Sequence, residues 1–311
     1  MGGPSMILVF GRPDDPPIGL LLDALQQRNT SYAFIDDRHL AHSSMSVGFN
    51  DGLVDGRLTA AGEDIELRAI RSVYARLLNV VIPPDPEQAS HAQTFHALFT
   101  QWLDLTPALV VSRPWTMASN ASKPYQAQLI AAAGLEVPET LVTNDPEEVQ
   151  EFRDRHGHIV FKSISGVRSV VEELGNRHQE RLDFVRNLPT QFQVAIPGTD
   201  VRVHVVGERT FATEIISDVA DYRYAARSGA EAILKGIELE IDIRDACIRL
   251  AASLDLPLCG IDLRRTPDGR WVCFEANPMP AYSYYEEHTG ADISGALASL
   301  LLDAAQFPGG Q

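Results

Sequence analysis

The feature that most constrains this chain is a pair of apolar segments that each end close to a carboxylate. Asp262 follows the apolar residues 258–261, and a second candidate strand, residues 270–275, ends on Glu275. Residues 266–269, with the sequence Thr-Pro-Asp-Gly, lie between them and are typical of a tight hairpin turn. A hairpin brings Asp262 and Glu275 together in apolar surroundings, where unpaired charge is costly. We therefore expect these carboxylates to have a cationic partner.

Two kinds of partner would satisfy the carboxylates. One is a divalent cation, because Asn277 adds an amide oxygen, and hard oxygen ligands suit Mg²⁺ that bridges nucleotide phosphates. The other is an ordinary ion pair with Arg264 or Arg265, or exposure of the acids at a strand edge. The hairpin pattern alone leaves both explanations open.

Four basic residues upstream have positions suited to phosphate binding. Lys162 ends the candidate strand 159–162 beside a loop of serine and glycine, and Lys123 lies at the entrance of a helix. Arg202 and Arg223 each follow an aspartate by two positions, so in a strand the acid and the base face the same side. Taken singly, each is explained by a surface ion pair of little energetic weight. Their order before an acidic cluster favours a phosphate site, where lysine acts as a point charge and arginine binds bidentately.

Composition excludes several other classes of protein. The 311 residues carry 26 Lys and Arg against 42 Asp and Glu, a net charge of −16, whereas a nucleic-acid groove needs a cationic surface. No run approaches the ~18 apolar residues of a membrane helix, and residues 1–11 lack the pattern of a secretion signal. The three cysteines are widely spaced, which argues against a disulfide framework or zinc knuckle and favours a reducing cytoplasm. The sequence also lacks the P-loop, dinucleotide-binding and zinc-protease motifs.

The alternation of candidate strands and helices divides the chain into regions. A strand–helix–strand pattern over residues 6–36 begins an open α/β region, which we expect to end near residues 112–114. Within it, residues 49–67 alternate with turns and predict a hairpin. A second unit follows, and the chain becomes rich in strands from residue 201 onward.

The order of these motifs resembles that of the RimK-type group of ATP-grasp ligases. The resemblance is carried by residues 123–129 and 134–140, residues 160–166 with Lys162 and a glycine-containing loop, residues 192–196 followed by Asp200 and Arg202, the segment Asp221-Tyr222-Arg223, and residues 274–280. Within this group, residues 73–76, 113–114 and 140–145 look most like those of ribosomal peptide maturases of the microviridin or graspetide type. Those enzymes make ester or amide crosslinks in precursor peptides.

The resemblance implies an α/β (α+β) ATP-grasp fold. It places an N-terminal open α/β pre-ATP-grasp domain at 1–113, a small central domain at 114–196 and a strand-rich C-terminal domain at 197–311. It implies an ATP-dependent carboxylate–amine or carboxylate–hydroxyl ligase that acts on a peptide or protein through an acylphosphate and releases ADP and phosphate. The cofactors implied are ATP and one or two Mg²⁺ ions, which Mn²⁺ can replace.

The resemblance also assigns a role to each candidate site residue. Asp262, Glu275 and Asn277 are implied to bind metal, and Arg202 and Arg223 are implied to be catalytic. The implied nucleotide-binding residues are Lys123, Lys162, Ser165, Gly166, Gln193, Val194, Ile196 and Asp200. The loop of residues 163–169, which contains Ser165 and Gly166, is expected to act as a lid, because an acylphosphate hydrolyses if water enters.

Departures from the family pattern leave the acceptor open. Val194 occupies a position where an acid is usual, residues 224–227 replace the asparagine of glutamate-adding relatives, and residues 281–285 are unusually aromatic. The alternatives are a free amino-acid, dipeptide or glutamate ligase, and a non-catalytic ATP-binding module. The expected partner is a carboxylate-bearing substrate such as a ribosomal precursor peptide, with no nucleic acid and no membrane. The sequence leaves open whether the protein forms a homo-oligomer.

Overall fold

The computed structural model describes residues 6–163, 172–187, 190–216 and 233–306, and these residues form four β-sheets. The N-terminal elements are β1 (Met6–Gly11), α1 (Pro16–Gln27), β2 (Tyr32–Asp36), β3 (Ser44–Asn50), β4 (Leu53–Ala60), β5 (Glu63–Glu66), β6 (Ile70–Ala75), α2 (Pro86–Leu105) and β7 (Leu109–Val111).

The first sheet is parallel, in the order β2-β1-β6-β7, with helices on both faces. Strand β1 is buried on both sides, as the apolar start of the sequence predicts for a strand of a covered parallel sheet. Leu8 and Phe10 join the core around α2, where the rings of Phe10 and Phe99 stack with centroids 4.5 Å apart. Ile7 and Val9 join the opposite core with α1. The predicted open α/β region is confirmed.

A three-stranded antiparallel meander, β3-β4-β5, is inserted between β2 and β6. The sequence predicted a single hairpin over residues 49–67, so the third strand corrects that expectation. Asp51 and Gly52 have φ values of 50° and 79°, and Ala61 and Gly62 have 54° and 81°. Both connections are therefore two-residue turns with positive φ, which suit the twist of antiparallel strands. The pair Asp51-Gly52 predicts such a turn, whereas Ala61-Gly62 does not, because alanine rarely adopts a positive φ.

The central region forms a second antiparallel sheet, in the order β10-β9-β11-β8. Its elements are α3 (Pro114–Met117), α4 (Lys123–Ala132), β8 (Thr140–Thr143), α5 (Pro146–His156), β9 (Ile159–Ser163), β10 (Glu172–Glu173), a 3-10 helix (Asn176–Asn187) and β11 (Thr190–Val194). The Asp145 side chain accepts a hydrogen bond from the Glu147 amide at 3.0 Å, which caps α5 as the sequence predicts. Phe192 and Ile159 pack on α5, so the opposite face of the sheet is free to line a cavity.

The C-terminal region forms a five-stranded antiparallel sheet, in the order β14-β13-β12-β15-β16. Its elements are β12 (Thr199–Val206), β13 (Arg209–Ile216), β14 (Ile233–Ile237), α6 (Ile241–Ser253), β15 (Leu258–Arg265), β16 (Trp271–Asn277), α7 (Ser283–Thr289) and α8 (Ile293–Gln306). Helix α6 covers one face of this sheet through Ala246 and Leu250, which pack on Val203 and Ile261.

The last helix, α8, joins the C-terminal sheet to the N-terminal region. Leu297 and Leu301 of α8 share one core with residues of α1, β1 and β6. The Ser72 hydroxyl donates to the Leu301 carbonyl at 2.8 Å, and Arg28 donates to the Gly295 carbonyl at 3.1 Å. The N-terminal sheet is thereby joined to the C-terminal region. None of the described helices is long and apolar enough to cross a membrane.

Candidate active site

A cavity of about 320 Å³ lies between the central sheet and the C-terminal sheet. Helix α4, the polar face of the central sheet and strand β16 form its walls. Among the lining residues are Lys123 and Ala127 of α4, Gln191 and Gln193 of β11, and Cys273 and Phe274 of β16. Apolar walls that carry a few polar groups are typical of a small-molecule site.

Strands β15 and β16 form the predicted hairpin beside this cavity. Asp262 lies directly opposite Glu275, and Gly260 lies opposite Asn277. The side chains of Asp262 and Glu275 are 27% and 23% exposed, so both are partly shielded from water and still reachable by a ligand. The expectation that the hairpin brings the two carboxylates together is confirmed.

The hairpin contains a β-bulge immediately after this pair. Leu263 lies opposite Cys273, which leaves Phe274 as an extra residue in β16. Bulges redirect side chains and are common next to active sites. Here the Phe274 side chain lines the cavity, and the guanidinium of Arg264 lies 5.2 Å from the centre of its ring. The bulge therefore gives the cavity one aromatic wall.

Each carboxylate is paired with a cation from another element. The Lys123 ammonium donates to the Glu275 carboxylate at 2.8 Å and to the Asn120 side-chain oxygen at 2.8 Å. The Arg202 guanidinium donates to the Asp262 carboxylate. The two cations expected to hold phosphate groups thus contact the two acids expected to hold metal. The site therefore brings together four predicted residues, each from a different element: Lys123 of α4, Arg202 of β12, Asp262 of β15 and Glu275 of β16.

The arginines that the alternative explanation named are not the partners of these acids. Arg264 donates to the Asp200 carboxylate at 2.7 Å and to the Ile196 carbonyl at 2.8 Å. Arg265 lies 3.8 Å from the Glu240 carboxylate. Arg264 therefore connects the segment after β11 to β12. The sequence could not show which arginine pairs with which acid, because the partners lie far apart in the chain.

The electrostatics of the site keep Glu275 ionised. Burial alone would raise the pKa of Glu275, but the Lys123 ammonium, with Lys162 and Arg202 at longer range, outweighs burial and lowers that pKa below its usual value. A carboxylate that stays charged at neutral pH can exchange one cation for another. Lys162 thus belongs electrostatically to the same site.

Three of the remaining predicted nucleotide-binding residues, Lys162, Gln193 and Val194, lie on β9 and β11. Lys162 is directly opposite Gln191, so the two side chains share one face of the sheet. The Gln193 amide donates to the Thr140 hydroxyl at 3.0 Å. The backbone N–H of Val194 donates to the Glu139 carbonyl at 3.0 Å. The cavity walls include Gln193 but neither Val194 nor Ile196. Ser165, Gly166 and Arg223 lie outside the described residues.

Two glutamines that the sequence analysis missed lie in the site. Gln126 is 1% exposed, and its amide donates to the Ala276 carbonyl at 2.8 Å and accepts from the Ala276 N–H at 3.0 Å. Strand β16 is an edge strand, so Gln126 fixes its outer edge between Glu275 and Asn277. Helical spacing places Gln126 on the same face as Lys123, and this signal could have found it. Gln191 is 3% exposed, and among the described residues its side-chain oxygen has no hydrogen-bond partner.

The donor set fits magnesium that is shared with a phosphate ligand. No group of three His, Cys, Asp or Glu side chains within the described residues could hold a metal by itself. Asp262, Glu275 and Asn277 instead offer two carboxylates and an amide oxygen. The Asn277 oxygen accepts from the Met279 N–H at 3.0 Å and keeps a second lone pair. Mg²⁺ commonly takes one or two carboxylates and completes its coordination with phosphate oxygens and water.

Comparison with known proteins gives a consistent result. A family model described as a RimK-like ATP-grasp domain matches residues 120–301. A probable alpha-L-glutamate ligase of Xanthomonas oryzae pv. oryzae is 28% identical over 186 residues, which are 56% of this chain and 62% of that protein. The chain thus matches a little under two thirds of the length of this curated relative.

Solved structures resemble nearly the whole chain. The ATP-grasp ligase PsnB, complexed with a phosphomimetic variant of minimal precursor, Mg and ADP, superposes with a TM-score of 0.76 at 26% identity and covers 96% of this chain and 98% of that one. A Chryseobacterium gregarium RiPP-associated ATP-grasp ligase in complex with ADP and a leader and core peptide gives a TM-score of 0.83 at 22% identity, with 96% and 97% covered.

Proposed function

Because the chain belongs to the RimK-like ATP-grasp family and has the ATP-grasp fold, we propose that it is an ATP-dependent ligase that activates a carboxylate as an acylphosphate. A carboxylate is a poor acyl donor in water because its oxygen is a poor leaving group, and phosphorylation supplies a better one. The observation that carries the proposal is the meeting of Lys123, Arg202, Asp262 and Glu275 beside the cavity.

The cavity would hold the nucleotide. Its apolar walls, including Phe274 and Cys273, suit a flat base, and the Gln191 side-chain oxygen would accept a hydrogen bond from an exocyclic amino group. Lys123 lines the cavity and also contacts Glu275, so it would hold phosphate oxygens on the hairpin side. Lys162 would hold them from the central sheet. Binding of this kind supplies the positioning on which phosphoryl transfer depends.

Asp262, Glu275 and Asn277 would hold one or two Mg²⁺ ions. A bound Mg²⁺ neutralises phosphate charge and orients the phosphates for in-line transfer. When the carboxylates of Asp262 and Glu275 bind metal, Arg202 and Lys123 would be released to bind phosphate oxygens. The ion pairs of the site therefore hold both cations close to the position where the nucleotide needs them.

The reaction would proceed in two balanced steps. In the first, a carboxylate oxygen of the substrate attacks the γ-phosphorus of ATP, the bond to the bridging oxygen breaks, and ADP leaves. In the second, an amine or hydroxyl attacks the acyl carbon, loses its proton, and phosphate leaves. Arg202 would steady the transferred phosphoryl group. Arg223, which lies outside the described residues, would orient the acyl group bidentately.

A peptide or protein is the substrate class that the comparisons favour. PsnB, which is 26% identical over nearly the whole chain, is described in complex with a variant of its minimal precursor. We propose a ribosomal precursor peptide as the substrate and an amide or ester crosslink as the product. The likeness to a probable alpha-L-glutamate ligase supports a second candidate, the addition of glutamate to a substrate.

Mass spectrometry separates these candidates. After incubation with ATP, Mg²⁺, free glutamate and peptides encoded near the gene, a crosslink removes one water per bond, whereas ligation of glutamate adds a glutamyl residue. If no acceptor gives ADP release or either mass change, the protein is a non-catalytic ATP-binding module and the proposal is wrong.

A matched set of variants tests the metal site. Asp262→Asn and Glu275→Gln should abolish ADP release, because each removes a charged metal ligand. Asp268→Asn alters an exposed carboxylate at the turn of the same hairpin and should leave ADP release unchanged. Wild-type turnover in either of the first two variants at saturating substrate would contradict the metal assignment.

A further inference from the structure

The loop that follows the candidate metal ligands is tied to the N-terminal sheet at alternate residues. The Ser112 hydroxyl donates to the Pro278 carbonyl at 3.2 Å. The Arg76 guanidinium donates to the Pro280 carbonyl at 3.2 Å. The Tyr282 hydroxyl donates in turn to the carbonyl of Pro17, the second residue of α1, at 2.7 Å. The segment 278–282 is therefore anchored to the carboxyl edge of the parallel sheet.

These anchors are buried and have fixed orientations. Arg76, Ser112 and Tyr282 are 5%, 4% and 0% exposed. The Arg76 guanidinium forms an ion pair with Asp15, which lies just before α1. Burial of an arginine is costly unless its charge is paired, so the Asp15 contact keeps the guanidinium in the orientation that reaches the loop.

Two contacts connect the anchored loop to the candidate metal site. The Asn277 side-chain oxygen accepts from the Met279 N–H, so the turn at the start of the loop sets the direction of the Asn277 amide. At the centre of the loop, Pro280 packs against Gly260, the residue that pairs with Asn277 across the hairpin. The Arg202 guanidinium lies against the same glycine. A shift of Pro280 would therefore move a metal ligand and a phosphate-binding cation together.

We propose that Arg76 and Ser112 are positioning residues that orient Asn277 and Arg202 for the Mg²⁺–nucleotide complex. The N-terminal region then completes a metal centre whose ligands all lie in the C-terminal sheet. Neither residue touches the ligand, and each acts through the loop it holds. This inference rests on the proposed function, because it takes Asn277 to be a magnesium ligand.

The chain offers a matched pair of serines for the test. Ser112 and Ser72 are both buried, and each donates its hydroxyl hydrogen bond to a carbonyl of the C-terminal region. Only Ser112 binds the loop beside the metal ligands, since Ser72 binds Leu301 on α8. Ser112→Ala and Ser72→Ala should lower the melting temperature by similar small amounts, because each removes one buried hydrogen bond.

The measurement is the gain in ADP affinity that Mg²⁺ produces, obtained by titration calorimetry in EDTA and in Mg²⁺. In Ser112→Ala this gain should fall about fivefold, while affinity in EDTA stays within about twofold of wild type. Ser72→Ala should keep the full gain. The double variant Asp15→Asn/Arg76→Met, which removes both members of the ion pair and leaves no unpaired charge, should lose at least as much of the gain as Ser112→Ala.

The possible results separate two kinds of failure. A full magnesium gain in both Ser112→Ala and the double variant would overturn the positioning role and leave the proposed function intact. An equal loss in Ser72→Ala and Ser112→Ala would also overturn it, because the effect would then follow stability alone. A wild-type protein whose ADP affinity does not respond to Mg²⁺ would refute the metal assignment of the proposed function itself.

Discussion

The change from Gly260 to alanine tests how closely the candidate site is packed. Gly260 lies in β15 and its φ is not in the positive region, so the backbone itself accepts alanine. The added Cβ would lie 2.8 Å from the Pro280 Cβ and 3.0 Å from the Arg202 Cζ. Carbon atoms in ordinary contact are about 3.5–4.0 Å apart, so roughly 0.7 Å of displacement is required.

Arg202 can relieve its own contact by moving roughly 0.5 Å. The Pro280 ring is rigid and its carbonyl is held by Arg76, so the contact with Pro280 must be relieved by a shift of the β15 backbone, which also changes the position of Arg202. Overpacking of this kind costs about 1–3 kcal/mol. If this free energy raises the activation barrier, because Arg202 is misoriented in the transition state, turnover falls about 5- to 150-fold. The assay is ADP release at saturating Mg²⁺–ATP and acceptor, together with the melting temperature.

Gly236→Ala in β14 is the matched control. It adds a methyl group to the same sheet, and the nearest atom, the Thr289 Cβ, is at an ordinary distance of 3.9 Å. Gly236→Ala should therefore behave like the wild type in both measurements. Wild-type turnover and melting temperature in Gly260→Ala would refute the claim that Pro280 and Arg202 are held in place.

Two further predictions concern buried polar side chains. Burial, with a smaller contribution from Arg202, lowers the pKa of His204 well below 6.5, so the unfolded chain binds a proton that the folded protein does not. Stability should therefore decrease as pH falls below about 6.5, by up to about 1.4 kcal/mol per pH unit; His204→Leu should remove this part of the decrease in urea unfolding, and an unchanged pH profile would contradict the assignment. Gln126→Leu leaves the N–H and carbonyl of Ala276 without their partner and should cost about 2 kcal/mol or more in the same assay. It should also reduce ADP release, and wild-type turnover in this variant would show that Gln126 does not fix the edge of β16.

Local patterns explain why the β15–β16 hairpin could be predicted from the sequence. The turn residues 266–269 and the apolar strands on both sides specify a hairpin over a short stretch of chain, so the meeting of Asp262 and Glu275 followed directly. The β-bulge at Phe274 was not readable, because it depends on how the strand fits the cavity and the neighbouring sheet. The partners of the acids were equally hidden, since Lys123 and Glu275 are 152 positions apart.

Two elements of the C-terminal region escaped prediction for related reasons. Strand β14 has the sequence Ile-Leu-Lys-Gly-Ile, in which the glycine and the adjacent apolar pair interrupt the alternation of apolar and polar residues that marks a strand. Helix α7 contains Tyr284 and Tyr285, and aromatic residues favour strands when considered alone. In the fold, Tyr285 packs with its ring 4.8 Å from that of His204. Packing against the C-terminal sheet therefore favours the helix in residues 283–289, whose intrinsic helix propensity is weak.

The pairing of acids with cations has a consequence for how the site distinguishes metal-free from metal-bound nucleotide. The whole chain has a net charge of −16, yet its proposed ligand is also an anion. In the site, Lys123 is engaged by Glu275, so a metal-free nucleotide must compete with a carboxylate for the ammonium group. A nucleotide that arrives with Mg²⁺ offers Glu275 a replacement cation. The protein should therefore prefer the magnesium complex because of its own ion pairs.

Glu275→Gln reverses this preference and makes it measurable. The variant removes the charge that competes for Lys123, and a hydrogen bond to a charged group contributes about 1.5–3 kcal/mol. We expect ADP in EDTA to bind roughly tenfold more tightly than to the wild type, while the gain from Mg²⁺ shrinks. Loss of catalysis with tighter metal-free binding is the signature of a carboxylate that holds both a lysine and a metal. Unchanged or weaker binding in EDTA would mean that the Lys123–Glu275 pair does not control access of phosphate to the site.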